Sequence, residues 1–178
     1  MKGRTRMGLR EYQEKIASRF ASFDRDRDGA VSVHDFREMA GVVLAEFDES
    51  EHTASGRALV DGAERFWQGL ADAADVDRDG SLTKEEFVRA ATASLLDNPE
   101  GFAYIVLPWV EAAITIADAD GDGEVSAAEW RRMLRAMNAH GVPTAHTAGP
   151  VLTVDEVLAS AVAYYTSDRP MPQVSATR

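Results

Sequence analysis

No cysteine occurs anywhere in the 178 residues, which excludes disulfides, thiolate nucleophiles and thiolate metal sites. Histidine is nearly as scarce: His34, His52, His140 and His146 are the whole supply, and they form no triad or metal-ligand spacing. Positive charge is also in deficit. With 19 Lys and Arg against 30 Asp and Glu, the formal net charge is -11, which suits neither a nucleic acid nor any other polyanion, since such affinity rests on neutralising phosphates. No run approaches the roughly 18 to 20 consecutive apolar residues of a membrane span, and the basic stretch Met1 to Arg10 leads into no apolar segment of signal type. What remains is 45% hydrophobic and 28% charged. The expectation is a soluble, cytoplasmic, globular chain, long enough for one core or two small lobes.

What the sequence does have is one acidic pattern written three times. The first copy is Asp24, Asp26, Asp28, Gly29, Ser32 and Asp35; the second is Asp75, Asp77, Asp79, Gly80, Thr83 and Glu86; the third is Asp118, Asp120, Asp122, Gly123, Ser126 and Glu129. This is the ligand spacing of the EF-hand calcium loop. A hard divalent cation wants about six to eight oxygens at ~2.3 to 2.6 Å, so positions 1, 3 and 5 supply carboxylates as the chain curls. Position 6 must reverse direction with positive φ, which glycine does without steric cost. Position 7 contributes its backbone carbonyl, leaving the side chains of Ala30, Ser81 and Glu124 free to vary. Position 9 brings a hydroxyl, from Ser32, Thr83 and Ser126, and position 12 closes the shell. Position 8 is apolar in each copy, Val31, Leu82 and Val125, as a short strand pairing one loop with its neighbour requires.

An isolated acidic, glycine-containing stretch is as often a solvated turn, but three complete matches flanked by helical patterning are not. A hydroxyl at position 9 with an acid three residues later is also a helix capping box, and both roles are compatible. The loops account for much of the acidity, and three divalent ions would bring -11 to -5. They should differ. Loops 2 and 3 end in Glu, long enough to chelate through both oxygens, whereas loop 1 ends in the shorter Asp35. The shorter acid favours six-coordination, so the first site is expected to be the weaker calcium site or to take Mg²⁺. Loop 3, with Glu124 as an extra acid, is expected to be the tightest.

Helical periodicity fills the intervals. After a disordered lead-in over 1–8, a helix from about Leu9 to Phe23 carries Tyr12, Ile16, Phe20 and Phe23 into the first loop; the exit helix runs from Val33 to about Phe47. Asp48 to Ser55 reads as a linker. A longer helix from about Gly56 to Ala74 enters the second loop, and its partner runs from Thr83 to about Leu96. Asp97-Asn98-Pro99 marks a stop and restart. The next helix reaches Ala117, with Pro108 expected to kink or break it. The third exit helix runs from Ser126 to about Asn138, with Gly141 as its terminator. Aromatics and methionines at this spacing read as core rather than as a cofactor site.

Three hands leave one without a partner, with an unpaired strand edge. The sequence supplies a remnant: Val151-Leu152-Thr153-Val154-Asp155-Glu156 repeats the second half of the loop. Counting back, positions 1, 3 and 5 would be Ala145, Thr147 and Gly149, with Pro150 at position 6, where its fixed φ forbids the turn. This degenerate loop, about 145–156, should bind nothing. It starts 27 residues after the third, where the earlier intervals are 51 and 43, so its entering helix should be lost or shrunken. Leu152 is expected to pair with Val125, and Val157, Leu158 and Ala161 to complete the core from an exit helix over about Thr153 to Tyr165.

The expected fold class is therefore all-α: four EF-hand-like helix-loop-helix units in two pairs, 9–96 and 97–166, with a tail at 167–178. Over residues 9 to 166 the chain resembles the calerythrin group, bacterial relatives of the invertebrate sarcoplasmic calcium-binding proteins; Leu152-Thr153-Val154-Asp155-Glu156-Val157-Leu158 looks like that group's fourth-hand exit. It departs from the group in which hand is degenerate, keeping the second loop and losing the fourth. The resemblance implies a compact four-hand globule that binds calcium as a buffer, or as a sensor exposing an apolar groove to a protein target. Of 6 Met, only Met39, Met133 and Met137 fall in helices, which favours the buffer. No enzymatic activity is expected, no partner beyond calcium ions is required, and a monomer is expected.

Overall fold

A computed structural model describes residues 8–96, 98–139 and 151–166. In chain order it contains α1 (Leu9–Phe23), β1 (Ala30–Ser32), α2 (Val33–Glu46), α3 (Ala54–Ala74), β2 (Ser81–Thr83), α4 (Lys84–Ala90) continuing into a π-helical turn (Ala91–Leu95), α5 (Pro99–Ala117), β3 (Val125–Ser126), α6 (Ala127–Ala136), β4 (Val151–Leu152) and α7 (Val154–Thr166). The lead-in, the tail, Asp97, and the degenerate positions 145, 147, 149 and 150 lie outside the described residues.

Local chemistry explains most boundaries. Ser32, Thr83 and Ser126 cap α2, α4 and α6: each hydroxyl accepts an amide N–H of the first turn, and the acid three residues on accepts the cap's own N–H. Thr53 caps α3 through Gly56 N–H, so that helix begins at Ala54, earlier than periodicity alone suggests. Asn98 caps α5 through Gly101 N–H at 3.1 Å, with Pro99 in the first turn. α2 and α6 end in the same motif, a left-handed residue followed by a bond back five residues. Asp48 has φ 53° and Asn138 φ 54°; Glu49 N–H reaches Leu44 O at 2.9 Å and Ala139 N–H reaches Leu134 O at 2.8 Å. Asn138 therefore terminates α6, and the terminator expected at Gly141, outside the described residues, is not needed.

Two expectations are corrected. α4 does not run as α-helix to Leu96: Leu96 N–H bonds Ala91 O at 2.9 Å across a wider, π-type turn. α5 is not broken by Pro108 and continues to Ala117. There α3 crosses so closely that a Cβ on Gly62 would stand 3.0 Å from Pro108 O, and this packing supports the helix through the proline. α5 is also buried on more sides than one apolar stripe suggests, with Phe102, Val106, Trp109, Val110, Ala112, Ala113, Ile116 and Ala117 all in the core. By length and hydropathy it alone among the described helices could cross a membrane; here it packs between α3 and α7.

The loops pair as position 8 requires. β1 and β2 are antiparallel with Val31 opposite Leu82, and β3 and β4 are antiparallel with Val125 opposite Leu152. One continuous core joins both pairs. A path of ring contacts runs from Phe36 to Phe66 (5.4 Å), Phe102 (6.1 Å) and Tyr165 (4.8 Å). Two further ties cross the molecule. Tyr12 Oη on α1 stands 2.7 Å from Tyr165 O at the end of α7, and Arg132 Nε on α6 donates to Glu46 Oε1 on α2 at 2.8 Å.

Candidate metal centres

Each complete loop folds its acids inward onto the chain's own amides. In loop 1, Asp24 Oδ2 accepts Gly29 N–H at 3.2 Å, Asp26 Oδ1 accepts Asp28 N–H at 3.1 Å and Asp28 Oδ1 accepts Ala30 N–H at 2.8 Å. Loop 2 repeats this with Asp75 on Gly80, Asp77 on Asp79 and Asp79 on Ser81. Loop 3 does the same with Asp118 on Gly123, Asp120 on Asp122 and Asp122 on Glu124. The glycines at position 6 have φ of 92°, 85° and 85° in Gly29, Gly80 and Gly123. Position 4 is left-handed as well, through Arg27 (60°), Arg78 (59°) and Gly121 (73°).

Three acids converge in each loop, with one oxygen from each within 4.8 Å of the others: Asp24, Asp26 and Asp35; Asp75, Asp77 and Asp79; Asp118, Asp120 and Glu129. Asp28, Glu86 and Asp122 stand outside these groups. Despite its short side chain, Asp35 does reach its cluster. It is 3% exposed, and its Oδ1 accepts Arg25 N–H at 2.9 Å while Oδ2 accepts Ser32 N–H at 2.8 Å. Glu129 repeats the arrangement, accepting Ala119 N–H at 3.1 Å and Ser126 N–H at 2.9 Å. Glu86 makes the same cap bonds, accepting Thr83 N–H and Oγ1–H at 3.0 and 2.8 Å, without the position 2 amide that Asp35 and Glu129 also accept. The hydroxyls at position 9 are all engaged with the position 12 acid in this way.

The donor set fits a hard cation. Asp24 Oδ1 and Asp75 Oδ1, both at position 1, are buried and have no hydrogen-bond partner. A buried carboxylate oxygen without a donor is costly, and a divalent ion at the loop centre is the partner that position lacks. The Ser126 N–H and hydroxyl hold the Glu129 carboxyl below its ordinary value of 4.5, so it is ionised at neutral pH, as a ligand must be.

Sequence reasoning passed over the cations inside the loops. Loop 1 carries Arg25 and Arg27, loop 2 carries Arg78 and Lys84, and loop 3 carries none. Arg25 is largely buried and lies 3.8 Å from Glu38. A fixed positive charge beside the acids opposes a second cation, so this effect disfavours loops 1 and 2 relative to loop 3. The signal was visible in the sequence as basic residues at positions 2, 4 and 10.

Comparison with known proteins agrees with this geometry. The family described as an EF-hand domain pair matches residues 13–92, and a second EF-hand family matches residues 110–134. Calerythrin of Saccharopolyspora erythraea is 27% identical over 153 residues, covering 82% of this chain and 86% of that protein. The structure of a Streptomyces coelicolor calcium-binding protein, described as the basis of prokaryotic calcium-mediated regulation, superposes with a TM-score of 0.80 at 38% identity, covering 88% of this chain and 98% of that one. A sarcoplasmic calcium-binding protein from amphioxus shares the fold, with a TM-score of 0.68 at 19% identity over 92% of this chain and 94% of its own.

Proposed function

The chain belongs to the EF-hand calcium-binding proteins, in the calerythrin and sarcoplasmic calcium-binding group, and from that premise we propose that it is a cytoplasmic calcium buffer with three competent loops. Its ligands are Asp24, Asp26, Asp28, Ala30 O, Ser32 and Asp35 in the first; Asp75, Asp77, Asp79, Ser81 O, Thr83 and Glu86 in the second; and Asp118, Asp120, Asp122, Glu124 O, Ser126 and Glu129 in the third. The first takes Mg²⁺ as well, because Asp35 offers the ion less oxygen and Arg25 and Arg27 lower its field. The third binds calcium most tightly.

The observation that carries the buffer reading is that the acids converge while the apolar helix faces stay covered. Among the described residues, the large exposed hydrophobics are Leu9, Val42, Val76 and Tyr104, one each on α1, α2, the second loop and α5. A sensor of the calmodulin type presents a contiguous, Met-rich groove when loaded, and Met39, Met133 and Met137 here are buried. The second reading, a sensor, draws support from the regulation ascribed to the Streptomyces relative. The two part on one experiment: binding of a hydrophobic-surface dye against free calcium, in about 1 mM Mg²⁺ to represent the cytoplasm, with calorimetry counting the ions bound. The buffer gives a flat or falling dye signal and three ions; a sharp rise near micromolar calcium, the range of regulatory hands, would overturn it in favour of the sensor.

A further inference from the structure

The core is not completely filled. A partly open cavity of about 70 Å³ lies where α1, α2, α3, α5, α6 and α7 meet, several times the roughly 10 to 15 Å³ that one water needs. Its walls are apolar, with Phe66, Val106, Trp109, Trp130 and Val157 prominent, and only Arg19, Ser160 and Tyr165 bring a charge or a hydroxyl.

Arg19 is the anomaly. It is 6% exposed, and no carboxylate pairs with it among the described residues. Its Nε donates to Tyr165 Oη at 2.8 Å, and its guanidinium lies 4.9 Å from the Phe23 ring centre and 5.9 Å from that of Tyr165. Nη1 is buried with no acceptor at all. Ring faces compensate a buried cation only in part, and an unpaired internal charge is among the costliest features a core can hold. A guanidinium stays protonated and presents its donors in a fork that matches a carboxylate. The missing partner is thus an anion, and the space beside it is apolar.

We propose that this cavity binds a small apolar monocarboxylate, its carboxylate on Arg19 and its hydrocarbon part between Trp109 and Trp130. The calcium loops take no part in this site, so the proposal stands apart from the buffer reading.

The cavity is about half the ~150 Å³ that accommodates benzene, so the probe must be short. The test titrates the full-length, calcium-saturated protein with propanoate and, separately, with 1-propanol, which has the same chain without the charge. Trp109 and Trp130 line the cavity and report by fluorescence. Propanoate is expected to give a saturable change at least about tenfold tighter than propanol, the worth of a charge-assisted hydrogen bond, and Arg19→Met is expected to abolish that preference. Should Arg19→Met not fold, Ala161→Phe fills the cavity from α7 with Arg19 intact and is expected to abolish propanoate binding. No saturable response, equal affinity for the two probes in the wild type, or undiminished propanoate binding in the Ala161→Phe protein would overturn the proposal and leave a cavity filled by water.

Discussion

At the scale of single residues, backbone conformation inside the loops matters as much as the acids. Gly80 has φ 85° and nothing within 4 Å of where a Cβ would stand, so Gly80→Ala would meet only the intrinsic cost of a left-handed L-residue, about 1–2 kcal/mol. If that turn is kept when calcium binds, the second site weakens about tenfold while the first and third hold; calorimetry with site-resolved fitting reads this, and an unchanged second site would mean the loop reshapes around the ion. Glu129 allows a pH prediction. Its folded pKa is depressed by bonds from Ser126, so the stabilisation it contributes is present above the unfolded value of 4.5 and is lost as pH falls through the lower folded value. In calcium-free protein its carboxyl carbon shift should titrate below those of free glutamates. Titration at or above 4.5 would show the cap is not formed.

At the scale of elements, the short strands couple loops that are far apart in sequence. β4 contributes no ligand, yet Leu152 is 5% exposed and sits opposite Val125, next to the third loop's hydroxyl donor Ser126. Leu152→Asp would bury an unpaired charge and forfeit the leucine's packing, a loss of about 3 kcal/mol. The expected result is a third site weakened more than tenfold with the first two unaffected; equal affinity at the third would mean the strand pair carries no part of its stability. The two helix corrections belong here too. Pro108 is tolerated because Gly62 lets α3 pack directly on the α5 backbone. The π turn after α4 lies where Tyr12 Oη comes within 3.2 Å of Ala91 O. Neither contact has a signature within its own segment, since each joins residues distant in sequence.

At the scale of the whole molecule, charge and core pull in opposite directions. The aromatic path from Phe36 to Tyr165 and the Tyr12 contact at the end of α7 hold both strand pairs in one core, while a net charge of -11 works against compactness. Ion binding should therefore stabilise the fold strongly, by about 2.7 kcal/mol per site at a hundredfold excess over its Kd. Scanning calorimetry should show one transition whose Tm falls when a chelator removes calcium and recovers when the ion is restored. Two separate transitions in the loaded protein would contradict a single core.

The sequence by itself determined what depends on residues near one another in the chain. Each twelve-residue loop carries its own carboxylates, its glycine and its cap. The apolar position 8 of each loop, and Leu152 in a segment with no ligand of its own, announced the strand register that the structure adopts. Tertiary structure decided what depends on contacts across the chain. These include which acids converge, Asp35 reaching its group while Glu86 stands outside its own; the passage of α5 through Pro108; and the burial of Arg19 beside an apolar space. An arginine on an amphipathic helix reads as a solvated side chain until the elements packed against it are known. In α1 that neighbour is α7, placed there by the remnant of a fourth hand.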